Sequence, residues 1–187
     1  MPIVGILLAA GSASRFGGGK LLAALADGRP IGMVSYRNLR SALDDVRVVV
    51  RTGDSALRAA FERNSATVVE CADAHMGMSR SLVAGVRAAD SADGWVIALA
   101  DMPFVKPATM RAVADALLAG AAIVAPAYRG TRGNPVGFAA RFKQELLEVS
   151  GDEGARAVLQ RHAAEVKVIE YDDAGILRDI DTREDLL

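Results

Sequence analysis

The chain has 187 residues, of which 51% are hydrophobic and only 5% aromatic, and its formal net charge at pH 7 is −1. This length predicts one domain, residues 1–187, and the high apolar content excludes an intrinsically disordered chain. The near-neutral charge gives no electrostatic reason to expect nucleic acid or an acidic membrane as a partner.

The cysteine content and the hydropathy pattern exclude further classes of protein. A single cysteine, Cys71, excludes an intrachain disulfide and a cysteine-rich zinc site. No charged stretch is followed by a long apolar segment, so we expect neither a signal peptide nor a membrane span. A cytoplasmic protein is the expectation that follows.

Short apolar runs alternate with amphipathic stretches along the whole chain. The apolar runs predict β-strands over residues 3–10, 46–51, 66–70, 94–100, 121–127 and 165–171. The amphipathic stretches predict helices over residues 33–43, 54–63, 79–89, 107–119, 140–148 and 153–163. This alternation predicts an α/β fold, a doubly wound and mostly parallel sheet with helices on both faces. Residues 128–138 are rich in turn formers and can form a hairpin over the sheet.

The first predicted strand leads into a loop that is rich in glycine and carries two cations, Arg15 and Lys20. Residues 11–20 read Gly-Ser-Ala-Ser-Arg-Phe-Gly-Gly-Gly-Lys. Glycine lets backbone N–H groups approach an anion closely, and the two cations supply the charge that a bound polyphosphate requires. Because ligands of open α/β sheets bind at the carboxyl ends of strands, we predict a phosphate site here. A flexible basic surface loop is the alternative interpretation.

Two common phosphate-binding motifs do not fit this loop. The dinucleotide fingerprint requires G-x-G-x-x-G and an acidic residue after the second strand, where this chain has Arg51 and Thr52. The Walker A motif requires a hydroxyl residue after Gly-Lys, and this chain has Leu21.

Two aspartates are candidate metal ligands. Asp101 directly follows the buried strand 94–100, where a carboxylate can hold Mg²⁺ against phosphates; a turn or cap aspartate is the alternative. Asp181 lies near the C-terminal residues and can either cap a short terminal helix or add a second carboxylate to the metal. Local sequence alone favours the cap for Asp181.

Several motifs, taken in order, resemble one family of enzymes. Residues 8–20 match L-A-A-G-x-S-x-R-x-G-x-x-K at every specified position. Further matching segments are Gly-Met-Ser-Arg-Ser-Leu at 77–82, Asp-Met-Pro at 101–103, Gly-Asn-Pro at 133–135, Gly-Asp-Glu-Gly-Ala-Arg at 151–156 and Asp-Ile-Asp-Thr at 179–182. The chain resembles the MobA-like nucleotidyltransferases, and most closely the molybdenum cofactor cytidylyltransferases.

The resemblance implies a role for each matching residue. It implies that Arg15, Lys20 and Asp101 are catalytic, and that Asp101 and Asp181 bind Mg²⁺. The implied nucleotide-binding residues are Leu8, Ala9, Ala10, Gly11, Ser12, Arg15, Lys20, Gly77, Ser79 and Ser81. The implied acceptor-binding residues are Gly133, Asn134, Pro135 and Asp152.

The resemblance also implies a reaction, the transfer of CMP from CTP to the phosphate of molybdopterin with release of pyrophosphate. Its implied partners are CTP, a phosphorylated pterin, and a molybdoenzyme or its maturation chaperone. Guanylyl-transferring relatives have L-A-G-G where this chain has Ala10, and the additional Cβ narrows the pocket in favour of a pyrimidine. Cys71 departs from the asparagine that is frequent in the family. The alternatives are guanylyl transfer, a sugar- or alditol-phosphate acceptor, and a non-catalytic nucleotide-binding regulator.

Overall fold

The computed structural model describes residues 2–12 and 16–186, which alternate between strands and helices. The strands are β1 (Ile3–Leu8), β2 (Val46–Arg51), β3 (Thr67–Cys71), β4 (Gly94–Leu99), β5 (Ile123–Tyr128), β6 (Thr131–Arg132), β7 (Val136–Ala139) and β8 (Val166–Glu170). The helices are α1 (Ile31–Ala42), α2 (Ser55–Arg63), α3 (Met78–Ala88), α4 (Pro107–Leu118), α5 (Lys143–Leu147) and α6 (Arg156–Arg161). Within this part of the chain, no helix is long and apolar enough to cross a membrane.

The strands form one eight-stranded sheet in the order β3-β2-β1-β4-β7-β5-β6, with β8 beside β5. Strands β1 to β4 pair in parallel, and β8 pairs in parallel with β5. Only the short β6 and β7 run antiparallel to their neighbours. The mostly parallel, doubly wound sheet is therefore confirmed, and the carboxyl ends of β1, β2, β3 and β4 meet along one edge.

Helices cover both faces of the sheet because its central strands are apolar on both sides. Five of the six residues of β4 are buried, including Trp95, whose indole N–H donates to the Ala89 carbonyl at 3.1 Å. Helices α1, α2 and α4 supply one core, with side chains such as Leu39, Phe61 and Val113. Helices α3, α5 and α6 supply the other, with side chains such as Leu82 and Leu146. Such burial on both faces is what continuous apolar runs predict.

The structure differs from the sequence-based expectation at β7 and at the ends of several elements. Residues 136–139 form β7, which inserts between β4 and β5, so only the β5–β6 part of the expected hairpin forms. Strand β1 ends at Leu8 rather than Ala10, and α6 spans only Arg156–Arg161 of the predicted 153–163. The expected helix 140–148 begins as a 3₁₀ turn and becomes α-helical at Lys143.

Asp173 joins the chain after β8 to the start of α4. Its side chain is 1% exposed, and one carboxylate oxygen accepts from the Lys106 N–H at 2.8 Å and from the Thr109 hydroxyl at 2.6 Å. The other oxygen accepts from the Gly175 N–H at 3.0 Å. Asp173 thereby ties the chain after β8 to the N-cap residue and the first turn of α4.

His162 links α6 to α5 at the opposite face. Its Nε2 lies 2.9 Å from a carboxylate oxygen of Glu145, and its Nδ1 lies 2.9 Å from one of Glu165. The imidazole also stands edge-on to the Phe142 ring, with the centroids 5.0 Å apart. The hydrogen bonds to Glu145 and then to Glu165 raise the pKa of His162 above its ordinary value.

The buried bonds of Asp173 predict a large effect of its removal. Asp173→Ala leaves the N–H groups of Lys106 and Gly175 without their acceptor, and we expect the free energy of unfolding to fall by about 3 kcal/mol. Urea unfolding measures the change. Asp172→Ala, at the exposed neighbour, serves as the control and should remain within about 0.5 kcal/mol of wild type. Equal losses in the two variants would contradict this linking role of Asp173.

The raised pKa of His162 predicts that its contribution to stability depends on pH. A histidine with a higher pKa in the folded state stabilises the fold fully below the unfolded pKa, near 6.5, and loses this contribution as the pH rises through the folded pKa. The stability advantage of wild type over His162→Gln should therefore shrink as the pH rises above 6.5. Urea unfolding of both proteins across this pH series measures the difference. A stability difference between wild type and His162→Gln that does not change with pH would contradict the raised pKa of His162.

Candidate active site

The glycine-rich loop ends in three consecutive glycines. Gly17, Gly18 and Gly19 all have positive φ angles, 85°, 92° and 63°, a conformation that residues with a Cβ rarely adopt. A 3₁₀ turn over Lys20–Leu22 follows and aims the Lys20 side chain at the carboxyl end of β4. Arg15, predicted to be catalytic and nucleotide-binding, lies outside the described residues.

Lys20 brings together the two carboxylates that were predicted to bind metal. Its Nζ lies 2.8 Å from Oδ2 of Asp101 and 3.5 Å from Oδ1 of Asp181. Its side chain is 11% exposed, whereas those of Asp101 and Asp181 are 24% and 30% exposed. Two negative charges and one positive charge therefore share a partly desolvated site, where electrostatic interactions are stronger than in water.

Backbone bonds fix the position of Asp181. The Ile180 N–H donates to the Asp101 carbonyl at 2.9 Å, which ties the closing segment, residues 178–186, to the end of β4. Asp185, inside the terminal 3₁₀ turn over residues 184–186, accepts through its carboxylate from the N–H groups of Asp181 and Thr182. The Asp181 side chain is thereby directed to Lys20, which differs from the capping role that local sequence favours.

A cavity of about 520 Å³ extends from these charges across the ends of the parallel strands. Its walls include most of the residues predicted to bind nucleotide, namely Leu8, Ala9, Ala10, Gly11, Ser12, Lys20, Gly77 and Ser81, together with Asp101. Ser79 is fully buried behind this wall, and its hydroxyl has no hydrogen-bond partner in the described part of the chain. The volume lies in the range of small-molecule sites.

The segment before α3 packs against the loop 151–154. Gly77 has a φ of +119°, and a Cβ there would lie 2.6 Å from the Gly151 carbonyl oxygen and 2.7 Å from an oxygen of Asp152. The Ser79 N–H donates to the same Gly151 carbonyl at 3.1 Å. Only glycine therefore allows this close approach. Asp152, predicted to bind the acceptor, lies on the wall of the 520 Å³ cavity.

A second cavity, of about 650 Å³, adjoins the first. Both cavities share Leu8, Met78 and Leu99 as wall residues. Gly133 and Asn134 line the second cavity, as the acceptor prediction requires, whereas Pro135 is buried beside it. Its remaining polar walls include Arg132, Glu153, Arg156 and Gln160, so an anionic ligand would meet two guanidinium groups.

The structure adds residues for which sequence analysis predicted no role. Arg51 and His75 line the 520 Å³ cavity, and Arg132 lines the second. Arg51 could have been found from the sequence by its position at the carboxyl end of β2. Arg132 could not, because its place on the second cavity depends on β7 lying between β4 and β5. Cys71 lies at the end of β3, where burial raises the pKa of its thiol and disfavours the thiolate nucleophile.

The arrangement can bind a polyanion and a divalent cation together. Lys20, Gly11 and Ser12 face the same cavity as Asp101, and a second cavity with Arg132 and Arg156 on its walls opens beside it. The described residues contain no group of three or more His, Cys, Asp or Glu that could hold a metal alone. Any cation here must therefore take further oxygen ligands from substrate or water, as Mg²⁺ commonly does.

Comparisons with known proteins find relatives and solved structures that match nearly the whole chain. Purine catabolism protein PucB of Bacillus subtilis (strain 168) is 35% identical over 195 residues, covering 98% of this chain and 93% of PucB. The crystal structure of Rv0371c from Mycobacterium tuberculosis H37Rv superposes with a TM-score of 0.83 at 28% identity, covering 99% of this chain and 96% of that one. Rv0371c has also been solved in complex with manganese, with a TM-score of 0.81 at 29% identity, covering 99% and 96% of the two chains.

The family itself is shown by a match over most of the chain. Residues 5–166 match the MobA-like NTP transferase domain, which confirms the resemblance carried by the glycine-rich loop and the later motifs. The chain therefore belongs to the MobA-like NTP transferase family and is a nucleotidyltransferase.

Proposed function

We propose that the protein transfers CMP from CTP to the phosphate of molybdopterin, in its metal-loaded form, and releases pyrophosphate. The observation that carries the proposal is the contact of Lys20 with both Asp101 and Asp181 on a nucleotide-sized cavity. The adjoining cavity with two arginines supports a second, anionic substrate that reaches the same strand ends. The molybdoenzyme or maturation chaperone that receives the product is part of the same proposal.

The donor set of the site fits a magnesium ion. Asp101 and Asp181 both contact one ammonium group, so their oxygens converge, and Mg²⁺ binds in proteins through one or two carboxylates plus substrate phosphates. When bound, the ion supplies positive charge that neutralises the phosphates of the reacting nucleotide. The manganese complex of Rv0371c supports a divalent cation in this family.

The residues of this chain position the reactants rather than take a proton. An oxygen of the acceptor phosphate attacks the α-phosphorus in line; a new P–O bond forms, and the bond to the β-phosphate breaks. The attacking oxygen is already ionised at neutral pH, so no general base is required. Lys20, with Arg15 and the amides of the glycine loop, stabilises the charge that develops on pyrophosphate.

The cytosine preference rests on the wall of the cavity. Ala10 is 3% exposed and lines the cavity beside Gly77 and Ser81, so its Cβ occupies space that a larger purine would need. One methyl group changes selectivity modestly. Backbone groups of the Gly77 segment, held by the loop 151–154, contribute the remaining contacts.

Removal of one metal-binding carboxylate tests the proposed reaction. Asp101→Asn keeps the shape of the side chain but removes its charge, so we expect at least about 100-fold slower pyrophosphate release from CTP, Mg²⁺ and molybdopterin. Asp115→Asn, at an exposed position of α4, is the matched control and should keep the wild-type rate. Wild-type turnover by Asp101→Asn at saturating Mg²⁺ would refute the assignment.

Removal of the Ala10 methyl group tests the proposed base. Ala10→Gly enlarges the cavity, and we expect the ratio of kcat/KM for CTP to that for GTP to fall by about 10-fold. Pyrophosphate release with each of CTP, GTP, UTP and ATP measures the ratio. A wild-type enzyme that prefers GTP would overturn the cytidylyl proposal, and an unchanged ratio in the variant would exclude Ala10 as a determinant.

A further inference from the structure

Arg51 is a cation at the end of β2 that the proposed reaction does not use. It pairs in register with Cys71 of β3, and its own carbonyl accepts from the Asp54 N–H at 3.2 Å. Its half-buried side chain lines the 520 Å³ nucleotide cavity. It also lines a smaller cavity of about 250 Å³ that shares Gly11, Ser12 and Lys20 with the first. Arg51 therefore faces the space that the nucleotide would occupy.

The guanidinium of Arg51 is only weakly hydrogen-bonded within the described residues. Its Nε is fully buried and has no hydrogen-bond partner there. One Nη lies 3.5 Å from the Ala10 carbonyl, at the outer limit of a hydrogen bond. The carboxylate that shares the smaller cavity, Asp54, instead accepts from the Leu57 N–H and caps α2. A buried donor without a partner costs free energy, so this group points to a ligand that supplies acceptors.

The sheet order separates Arg51 from Asp101. Asp101 follows β4, and β1 lies between β4 and β2. Two strand spacings of about 4.8 Å separate the ends of β4 and β2 by about 10 Å. Arg51 lines the 520 Å³ cavity together with Gly77 and Ser81, so a nucleotide with its α-phosphate at Asp101 and its base at these residues brings the base to Arg51.

We propose that Arg51 recognises the base of the bound nucleotide by donating hydrogen bonds to O2 and N3 of cytosine. The inference rests on the proposed cytidylyl transfer. A guanidinium has only donors, in a fixed planar fork, and therefore complements two neighbouring acceptors. Uracil presents an N3–H donor where cytosine presents an acceptor, so Arg51 also favours CTP over UTP. Guanine also presents two neighbouring acceptors, O6 and N7, which a guanidinium can contact. The binding measurements therefore include GTP.

Binding measurements separate contact with the base from contact with phosphate. Isothermal titration with Mg²⁺ compares CTP, UTP, GTP and inorganic tripolyphosphate, which has no base. We expect Arg51→Met to bind CTP about 10- to 100-fold more weakly and to lose the preference for CTP over UTP. Its affinity for tripolyphosphate should remain within about twofold of wild type. Arg51→Lys, which keeps the charge but not the planar fork, should recover little of the CTP affinity.

Matched variants control for charge and folding. Arg63→Met makes the same change on exposed α2 and should bind every ligand as wild type does, whereas Lys20→Met should weaken CTP and tripolyphosphate together. Thermal unfolding of each variant confirms that it is folded. Equal loss of CTP and tripolyphosphate in Arg51→Met, or no loss at all, would overturn the inference. A wild-type protein that prefers GTP would refute the cytidylyl function but not the contact between Arg51 and a base. The comparison of each nucleotide with tripolyphosphate tests that contact by itself.

Discussion

The contact of one lysine with two aspartates is the interaction on which the site depends. Lys20 comes from the glycine loop after β1, Asp101 from the end of β4 and Asp181 from the closing segment. Two carboxylates held this close would repel one another, and the ammonium group balances them in a partly buried position. Three distant parts of the chain are thereby held at one point on the sheet edge.

The closing segment reaches this point because it is anchored on both sides. Asp173 fixes its approach by binding the start of α4, and the Asn134 N–H donates to the Ile176 carbonyl at 3.0 Å. Ile180 is fully buried against Phe16 and Ile31, beside its backbone bond to Asp101. The path that places Asp181 beside Lys20 therefore also supports the Asn134 turn of the second cavity.

Local patterns predicted the sheet well and the site in part. Long apolar runs such as residues 94–99 identify buried parallel strands, because burial on both faces leaves little choice of residue. Strand β7 was missed since four residues that contain a glycine and follow a turn carry a weak pattern, and pairing with β4 and β5 decides their conformation. Asp181 has the same local sequence whether it caps a turn or faces Lys20, so only the tertiary contact distinguishes the two. Arg51 belongs to no motif, and its unpaired donor is visible only in three dimensions.

The loop 151–156 forms part of the walls of both cavities. Gly151 holds the segment before α3 through the Ser79 N–H, and Asp152 stands on the nucleotide side. Glu153 and Arg156, directly after them, line the second cavity. A shift of this loop would therefore change the shape of both walls at once. If a ligand in one cavity shifts this loop, thermodynamic reciprocity requires that each ligand change the affinity for the other by the same factor. Under the proposed transfer, such a shared wall would help to position the two reacting phosphates together.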